Sequence, residues 1–354
     1  MLQKYKVSKA VSNSLGIPDP VNKGGNNKMS KLSFVIPCYG SENTIEMVIS
    51  EIEEVIKQRP EHSYEIIAVN DHSPDNVLNV LRKLVLSHEN LIVADLAQNM
   101  GKHAAVMAGY SLVTGDYVVV LDDDGQCPMN ELWKLYDALG TEYDTVMAEY
   151  PVKKQSAFKN FGSKVNSWMS RILLGKPKNV RFENFGITKR YIIDEIIKYK
   201  NPYPYLEGLT LRTTKRITNV KMEERERFAG KGNFTFLRSL KLWINGFTAF
   251  SVKPLRISSF LGVLTAALGF IFGIVIGVRK ILNPDILMGY SSTMAVMLFI
   301  GGMIMMMLGL IGEYVGRIYI CINNSPQYVI REIFGTKNTD TDEHVRKTDE
   351  TIRL

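Results

Sequence analysis

At 354 residues the chain has room for one large domain or two smaller ones. Its net charge of +7 points to an anionic partner: nucleic acid, a phospholipid surface or a phosphorylated substrate. Three widely spaced cysteines, Cys38, Cys127 and Cys321, imply neither a disulfide framework nor a zinc site and fit a reducing compartment.

Residues 1–30 are polar, rich in Asn, Lys and Ser, and lack the apolar core of a secretory signal; they read as a flexible N-terminal tail. From 31 to 150, β-branched apolar runs alternate with amphipathic ones. "KLSFVIPCY", "YEIIAVND", "NLIVADL", "DYVVVLDDD" and "DTVMAEY" read as strands, and about 43–58, 76–88, 101–113 and 130–139 read as helices. This pattern predicts an α/β fold: a Rossmann-like, mostly parallel sheet with helices on both faces. Ligands of such sheets sit at the carboxyl ends of the strands. Polar groups collect at those ends: Tyr39 and Glu42, then Asp71, then Asn99 to His103, then Asp122 to Gln126.

The chain lacks a Gly-x-Gly-x-x-Gly dinucleotide turn, a Gly-x-x-x-x-Gly-Lys phosphate loop and a Gly-x-Ser-x-Gly nucleophile elbow. What it has instead is three consecutive aspartates at the end of a buried strand. Like charges at that spacing repel and resist desolvation, and a divalent cation held with an anionic ligand compensates them.

Further along, "EERERFAGKGNFTFLRSLKL" is strongly basic, and 235–252 mixes Arg and Lys with Trp243, Phe247 and Phe250. That segment reads as a helix lying in a membrane interface or as an amphipathic helix packed on the soluble domain. Residues 257–278 and 291–312 are uncharged runs, each long enough as a helix to cross a hydrocarbon core of roughly 30 Å. "GGMIMMMLG" in the second offers small residues and flexible Met side chains for helix packing. The outer flanks carry more Arg and Lys than the connection, which predicts a cytoplasmic location for the 31–234 domain and both termini, with a short external loop. Residues 313–354 read as a cytoplasmic tail, charged and disordered after Glu332.

Taken in order, "VIPCYGSE", "VNDHSPD", "NMGKHAAVMAG" and "VVVLDDDGQCP", followed by two spans, resemble the GT-A family 2 glycosyltransferases of the polyprenyl-phosphate branch, over about residues 31–325. The resemblance implies a multi-pass enzyme of the bacterial inner membrane that uses a nucleotide-sugar donor and a polyprenyl-phosphate acceptor, binds no nucleic acid and forms homo-oligomers. It places Pro37, Tyr39, Glu42 and Asp71 around the nucleotide, with Asp122 beside them. Asp122, Asp124 and Gln126 would hold Mg²⁺ or Mn²⁺ against the diphosphate. The basic segment resembles the family's Arg-x-x-Gly-Lys-Ser element. Arg227, Gly230 and Lys231 match it, whereas Gly232 replaces the usual serine and removes a hydroxyl donor. Arg225, Arg227 and Lys231 are thereby candidates for the acceptor phosphate. "RFENFGITKR" aligns with the acceptor side of the sugar, and Lys102 and His103 are further candidates for phosphate, although a lone His in such a loop is more often merely exposed.

The implied chemistry is inverting attack by the lipid phosphate on the anomeric carbon, with Asp122, Asp124 and Arg227 as its central groups. Three other readings stay open. A processive polysaccharide synthase is opposed by the missing Gln-x-x-Arg-Trp segment and by the small number of spans. A transferase to a lipid or glycan hydroxyl would need a base. A silent membrane scaffold is opposed by the intact acidic cluster.

Overall fold

The first strand, β1 (Lys31–Cys38), is buried along all but its first residue, as befits the centre of a sheet covered on both faces. In the computed structural model the residues described are 30–151, 171, 175–177, 179–223, 225, 253–283, 289–323 and 325–335. Parallel partners flank β1: β2 (Ser63–Asn70) on one side and β4 (Tyr117–Val120) on the other. The remaining strands are β3 (Leu91–Leu96), β5 (Thr145–Glu149), β6 (Gly186–Lys189), β7 (Ile217–Lys221) and β8 (Ile330–Phe334). The sheet order is β7-β5-β6-β4-β1-β2-β3-β8. Among these, β6 runs antiparallel to β4 and β5, and β8 antiparallel to β3. The mostly parallel α/β architecture expected from the alternating pattern is present.

The two-residue period of the strands divides the core. Leu32, Phe34 and Ile36 join Ile45, Ile49 and Ile52 of α1 (Ile45–Ile56), Leu81 of α2 (Val77–Leu84) and Leu132 and Leu135 of α4 (Leu132–Leu139) on one face. Val35, Ile67 and Val69 join Ala105, Val106 and Ala108 of α3 (Lys102–Tyr110) on the other, with Ile192 and Ile196 of α5 (Arg190–Ile196) and Leu209 of α6 (Leu206–Thr213). Helix α3 lies very close to the sheet. A Cβ at Gly109 would come within 2.4 Å of Val35 Cγ1, so only glycine lets the helix approach this near.

Two long helices follow, α7 (Lys253–Leu282) and α8 (Tyr290–Ile322). Thirty residues make a helix of roughly 45 Å, more than a hydrocarbon core requires. Within them, Ser258–Arg279 and Phe299–Ile322 are apolar enough to span a membrane, and apart from Ser258 their described side chains are at least partly exposed. The helices touch where Gly262 faces Met307: a Cβ there would lie 2.7 Å from the Met307 Cε, the kind of small-residue contact the Met-rich run offers.

The C-terminal tail begins later than the sequence pattern indicates. Helix α8 continues through 313–322, where Glu313 and Arg317 pair one turn apart at 2.6 Å. Beyond it, Ile330–Phe334 form β8 on the outer edge of β3. A short run in which Arg331 and Glu332 lie between apolar residues becomes a strand because it finds that edge. The segment expected to lie at the membrane interface, 235–252, falls outside the described residues, as do Arg227 and Lys231.

Candidate active site

The four loops leaving β1 to β4 converge at the carboxyl end of the sheet, and their side chains hold one another's backbone. In the loop after β1, Tyr39 N–H donates to Asp123 Oδ2 at 2.9 Å, Gly40 N–H to Ser73 Oγ at 2.8 Å, and Glu42 N–H to Asp75 Oδ2 at 2.9 Å. Gly40 has a φ of +74°, a turn conformation that costs glycine little. The Glu42 carboxylate accepts the N–H of Asn76 at 2.9 Å and so closes the same clasp from the other side. Pro37 is buried in β1 opposite Val69, and the Tyr39 side chain is 51% exposed.

Asp71 performs the equivalent task one loop along. Its oxygens accept the N–H groups of Met100 at 2.7 Å and Gly101 at 2.8 Å, while Asn99 Nδ2 reaches its carbonyl at 3.2 Å. Burial raises its pKa, and the two amide bonds oppose that rise. Each carboxylate oxygen retains a second lone pair for a ligand.

The aspartate turn separates into inward and outward groups. Burial is the main reason Asp123 is pushed up to about 6; its side chain turns back beneath the first loop to hold Tyr39, and its carbonyl accepts the Thr44 hydroxyl at 2.6 Å. Asp122 pairs instead with Lys102, whose ammonium also donates to Asn184 Oδ1 at 3.0 Å. Asp124 Oδ1 accepts the Gln126 N–H at 3.1 Å. Cys127 sits beneath, where burial, with Asp122 adding, pushes its thiol up to about 12 and keeps it inert.

Gln126 and Arg225 bind reciprocally: Arg225 N–H donates to the Gln126 carbonyl at 3.2 Å, and Gln126 Nε2 donates to the Arg225 carbonyl at 3.3 Å. The first residue of the candidate phosphate trio thus meets the aspartate turn through its backbone. The Arg225 side chain is committed elsewhere. Its guanidinium binds Glu51 of α1 and Asn130 and so braces these elements against one another. His103 is half-buried rather than exposed: its Nδ1 is buried without a hydrogen-bond partner among the described residues, and its ring meets that of Tyr205 edge-on at 5.7 Å. Burial, with Lys102 adjacent, pulls its pKa down to about 4. Ser73 and Asp75 were missed as organisers of the site; the only sign of them was their proximity to Asp71 in "VNDHSPD".

As to a cation, no group of three His, Cys, Asp or Glu side chains is arranged to hold one among the described residues. The oxygen donors present, Asp122, Asp124 and the Gln126 amide, suit a hard cation that draws the rest of its shell from phosphate and water rather than from a protein cage. Asp122 already carries a cationic partner in Lys102.

A mostly parallel sheet with acid groups at its carboxyl ends, followed by two membrane-length helices, defines a GT-A transferase domain joined to a membrane hairpin. Residues 33–192 match the model for glycosyl transferase family 2, and residues 253–318 match that for the GtrB C-terminal hairpin. The chain thus carries a glycosyl transferase family 2 domain followed by a GtrB C-terminal hairpin. It is 29% identical to the uncharacterized glycosyltransferase YkcC of Bacillus subtilis, over 86% of this chain and 95% of that one. It is also 29% identical to the undecaprenyl-phosphate 4-deoxy-4-formamido-L-arabinose transferase of Yersinia pestis, over 91% of this chain and 99% of the relative. Among solved structures, glucosyl-3-phosphoglycerate synthase from Mycobacterium tuberculosis, in complex with Mn²⁺ and uridine-diphosphate-glucose, aligns at 15% identity over 64% of this chain and 83% of that one, with a TM-score of 0.45.

Proposed function

We propose that the protein transfers a sugar, with inversion, from a nucleotide sugar to undecaprenyl or a related polyprenyl phosphate at the inner face of a bacterial plasma membrane. The observation that carries this reading is the reciprocal Gln126–Arg225 clasp, which fastens the start of the basic segment to the aspartate turn. Arg227 follows Arg225 by two residues, a reach of at most about 7 Å. The basic segment read as serving the acceptor phosphate thus begins at the aspartate turn, and the hairpin supplies the membrane from which a lipid phosphate arrives. The Yersinia relative, named for undecaprenyl phosphate, supports the acceptor class.

The second pKa of a phosphate monoester is about 6, so the attacking oxygen is anionic at neutral pH and needs no strong base. That oxygen bonds to the anomeric carbon from the face opposite the diphosphate. The bond from that carbon to the diphosphate oxygen breaks, and the nucleoside diphosphate leaves with the electron pair. Pro37, Tyr39, Glu42 and Asp71 shape the nucleotide end, while Arg227 and Lys231 align the two anions and screen their repulsion. Asp122, Asp124 and Gln126 would hold Mg²⁺ or Mn²⁺, which stabilises charge on the departing diphosphate.

The topology proposed with this reading puts the catalytic domain and both termini in the cytoplasm and the connection near Asn283 outside. The test is incubation of the purified protein with undecaprenyl phosphate and a panel of labelled nucleotide sugars, with Mn²⁺, Mg²⁺ or EDTA. Label should enter a lipid-phosphate product of inverted anomeric configuration only when a cation is present. Transfer to a hydroxyl-bearing acceptor in its place would overturn the assignment.

A further inference from the structure

A chain of polar contacts crosses the sheet from its C-terminal edge to the loop after β1. Asp95, in the otherwise apolar strand β3, is completely buried. Its Oδ2 accepts from the Arg331 guanidinium of β8, Nε at 2.7 Å with Nη2 also in contact, and its Oδ1 accepts from Asn70 Nδ2 at 2.8 Å. The Asn70 amide is held at both ends, since its Oδ1 accepts the Ser73 N–H at 3.1 Å. Ser73 Oγ donates to Asp75 Oδ1 at 2.6 Å and accepts from Gly40 N–H at 2.8 Å. Asp75 accepts from Glu42 N–H at 2.9 Å.

Every group in this series uses its donor and acceptor in the only sense its chemistry allows: the carboxylate accepts, the amide faces it with NH₂, and the hydroxyl passes the contact on. Asp95 carries a buried charge whose described cationic partner, Arg331, comes from the strand after the second membrane helix. Removing that partner leaves a desolvated carboxylate that relaxes by shifting toward the solvent-exposed side Arg331 had occupied, and this shift pulls on its bond to Asn70 Nδ2 and so displaces the amide. Ser73 and then Gly40 lose their fixed partners in turn. A purely local role for Arg331, docking β8 on the edge of β3, would need no such series. That docking has its own support in the exposed Arg82–Glu332 pair at 2.5 Å and in the stacking of Arg82 over Phe334 at 5.3 Å.

We infer that Arg331 is a positioning residue for the loop Tyr39–Glu42, acting through Asp95, Asn70 and Ser73, so that the segment leaving the membrane sets the geometry of the donor pocket. The functional half of this inference rests on the reading of that loop as part of the nucleotide site; the structural half does not.

The test uses the full-length protein in detergent. Hydrogen exchange is followed in peptides covering 39–44, 71–76 and 330–335 for wild type, Arg331→Ala, Arg331→Lys, Arg331→Ala/Asp95→Asn and Arg82→Ala. Arg331→Ala should accelerate exchange in 39–44 and 71–76. The added Asp95→Asn should restore much of the protection by removing the stranded charge, and Arg331→Lys should retain part of it. Arg82→Ala should loosen 330–335 alone. With a nucleotide sugar that the wild type uses, Arg331→Ala should raise the donor KM about tenfold with a smaller change in kcat, the size expected for loss of one charge-assisted bond in a series. Unchanged exchange at 39–44 and 71–76 in Arg331→Ala, or the same acceleration there in Arg82→Ala, would overturn the inference and leave Arg331 as a strand-docking residue. Absence of any wild-type transfer would count against the proposed function, while the exchange result would still decide the network.

Discussion

Aspartates occupy both ends of the catalytic sheet, in opposite electrostatic settings. At the amino end, Asp144 is 3% exposed and accepts from the Thr214 hydroxyl at 2.7 Å, with Lys189 and Arg216 each 3.9 Å from its carboxylate. One acid there meets two cations, and the pKa of Lys189 is lowered, first by burial and then by Arg216. At the carboxyl end three acids occupy consecutive positions, Asp123 is pushed up to about 6, and Asp122 adds to that rise. The first cluster is complete within the protein and serves stability. In the second, acid is concentrated, and its field favours an incoming cation together with a phosphorylated ligand.

The contrast can be broken most severely at Asp124. Asp124→Asn should lower transfer about 10³-fold, several kcal/mol of lost stabilisation of the departing diphosphate, with thermal stability unchanged or raised. Transfer rates at limiting Mg²⁺ beside a melting curve check this, and near-normal activity would exclude a ligand role. Arg227→Ala should lower turnover with polyprenyl phosphate about 100-fold, with Arg227→Lys recovering part of it, because charge returns without the bidentate fork. Nucleoside diphosphate affinity measured by calorimetry should hardly change; a parallel loss would move Arg227 to the donor site.

At the other end of the sheet the expectation reverses. Asp144→Ala should cost about 2 kcal/mol in chemical denaturation, because a buried hydroxyl and two cations lose their acceptor, yet turnover per folded molecule should stay the same. The smallest effect is that of His103. Its folded pKa of about 4 lies below its unfolded value, so the unfolded chain binds the additional proton and stability falls as pH drops from 6.5 toward 4. His103→Gln should flatten that part of the pH–stability curve relative to wild type, and an unaltered slope would show that the imidazole does not titrate in this way.

The alternating strands, the acids at their carboxyl ends and the membrane-length runs could be read from the sequence because each is a local pattern. The contacts that the sequence did not reveal depend on distant partners. The Arg225 guanidinium meets Glu51, 174 residues away, and nothing in "EERERF" points there. "IREIF" becomes a strand only against the edge of β3, and β6 is inserted antiparallel between β4 and β5 by a crossover that periodicity does not reveal. Three identical aspartates likewise gave no indication of which one turns inward; it is Asp123, whose carboxylate meets the Tyr39 N–H, 84 residues away.

The pairing of Val93 with Phe334 joins chain segments made far apart in time during synthesis. The sheet's outer edge therefore stays bare until both hydrophobic helices have left the ribosome, and β3 presents unpaired backbone groups during that interval. Among the described residues, closure of that edge therefore waits for chain made after both long helices, and until then it is open to other strands and to proteases.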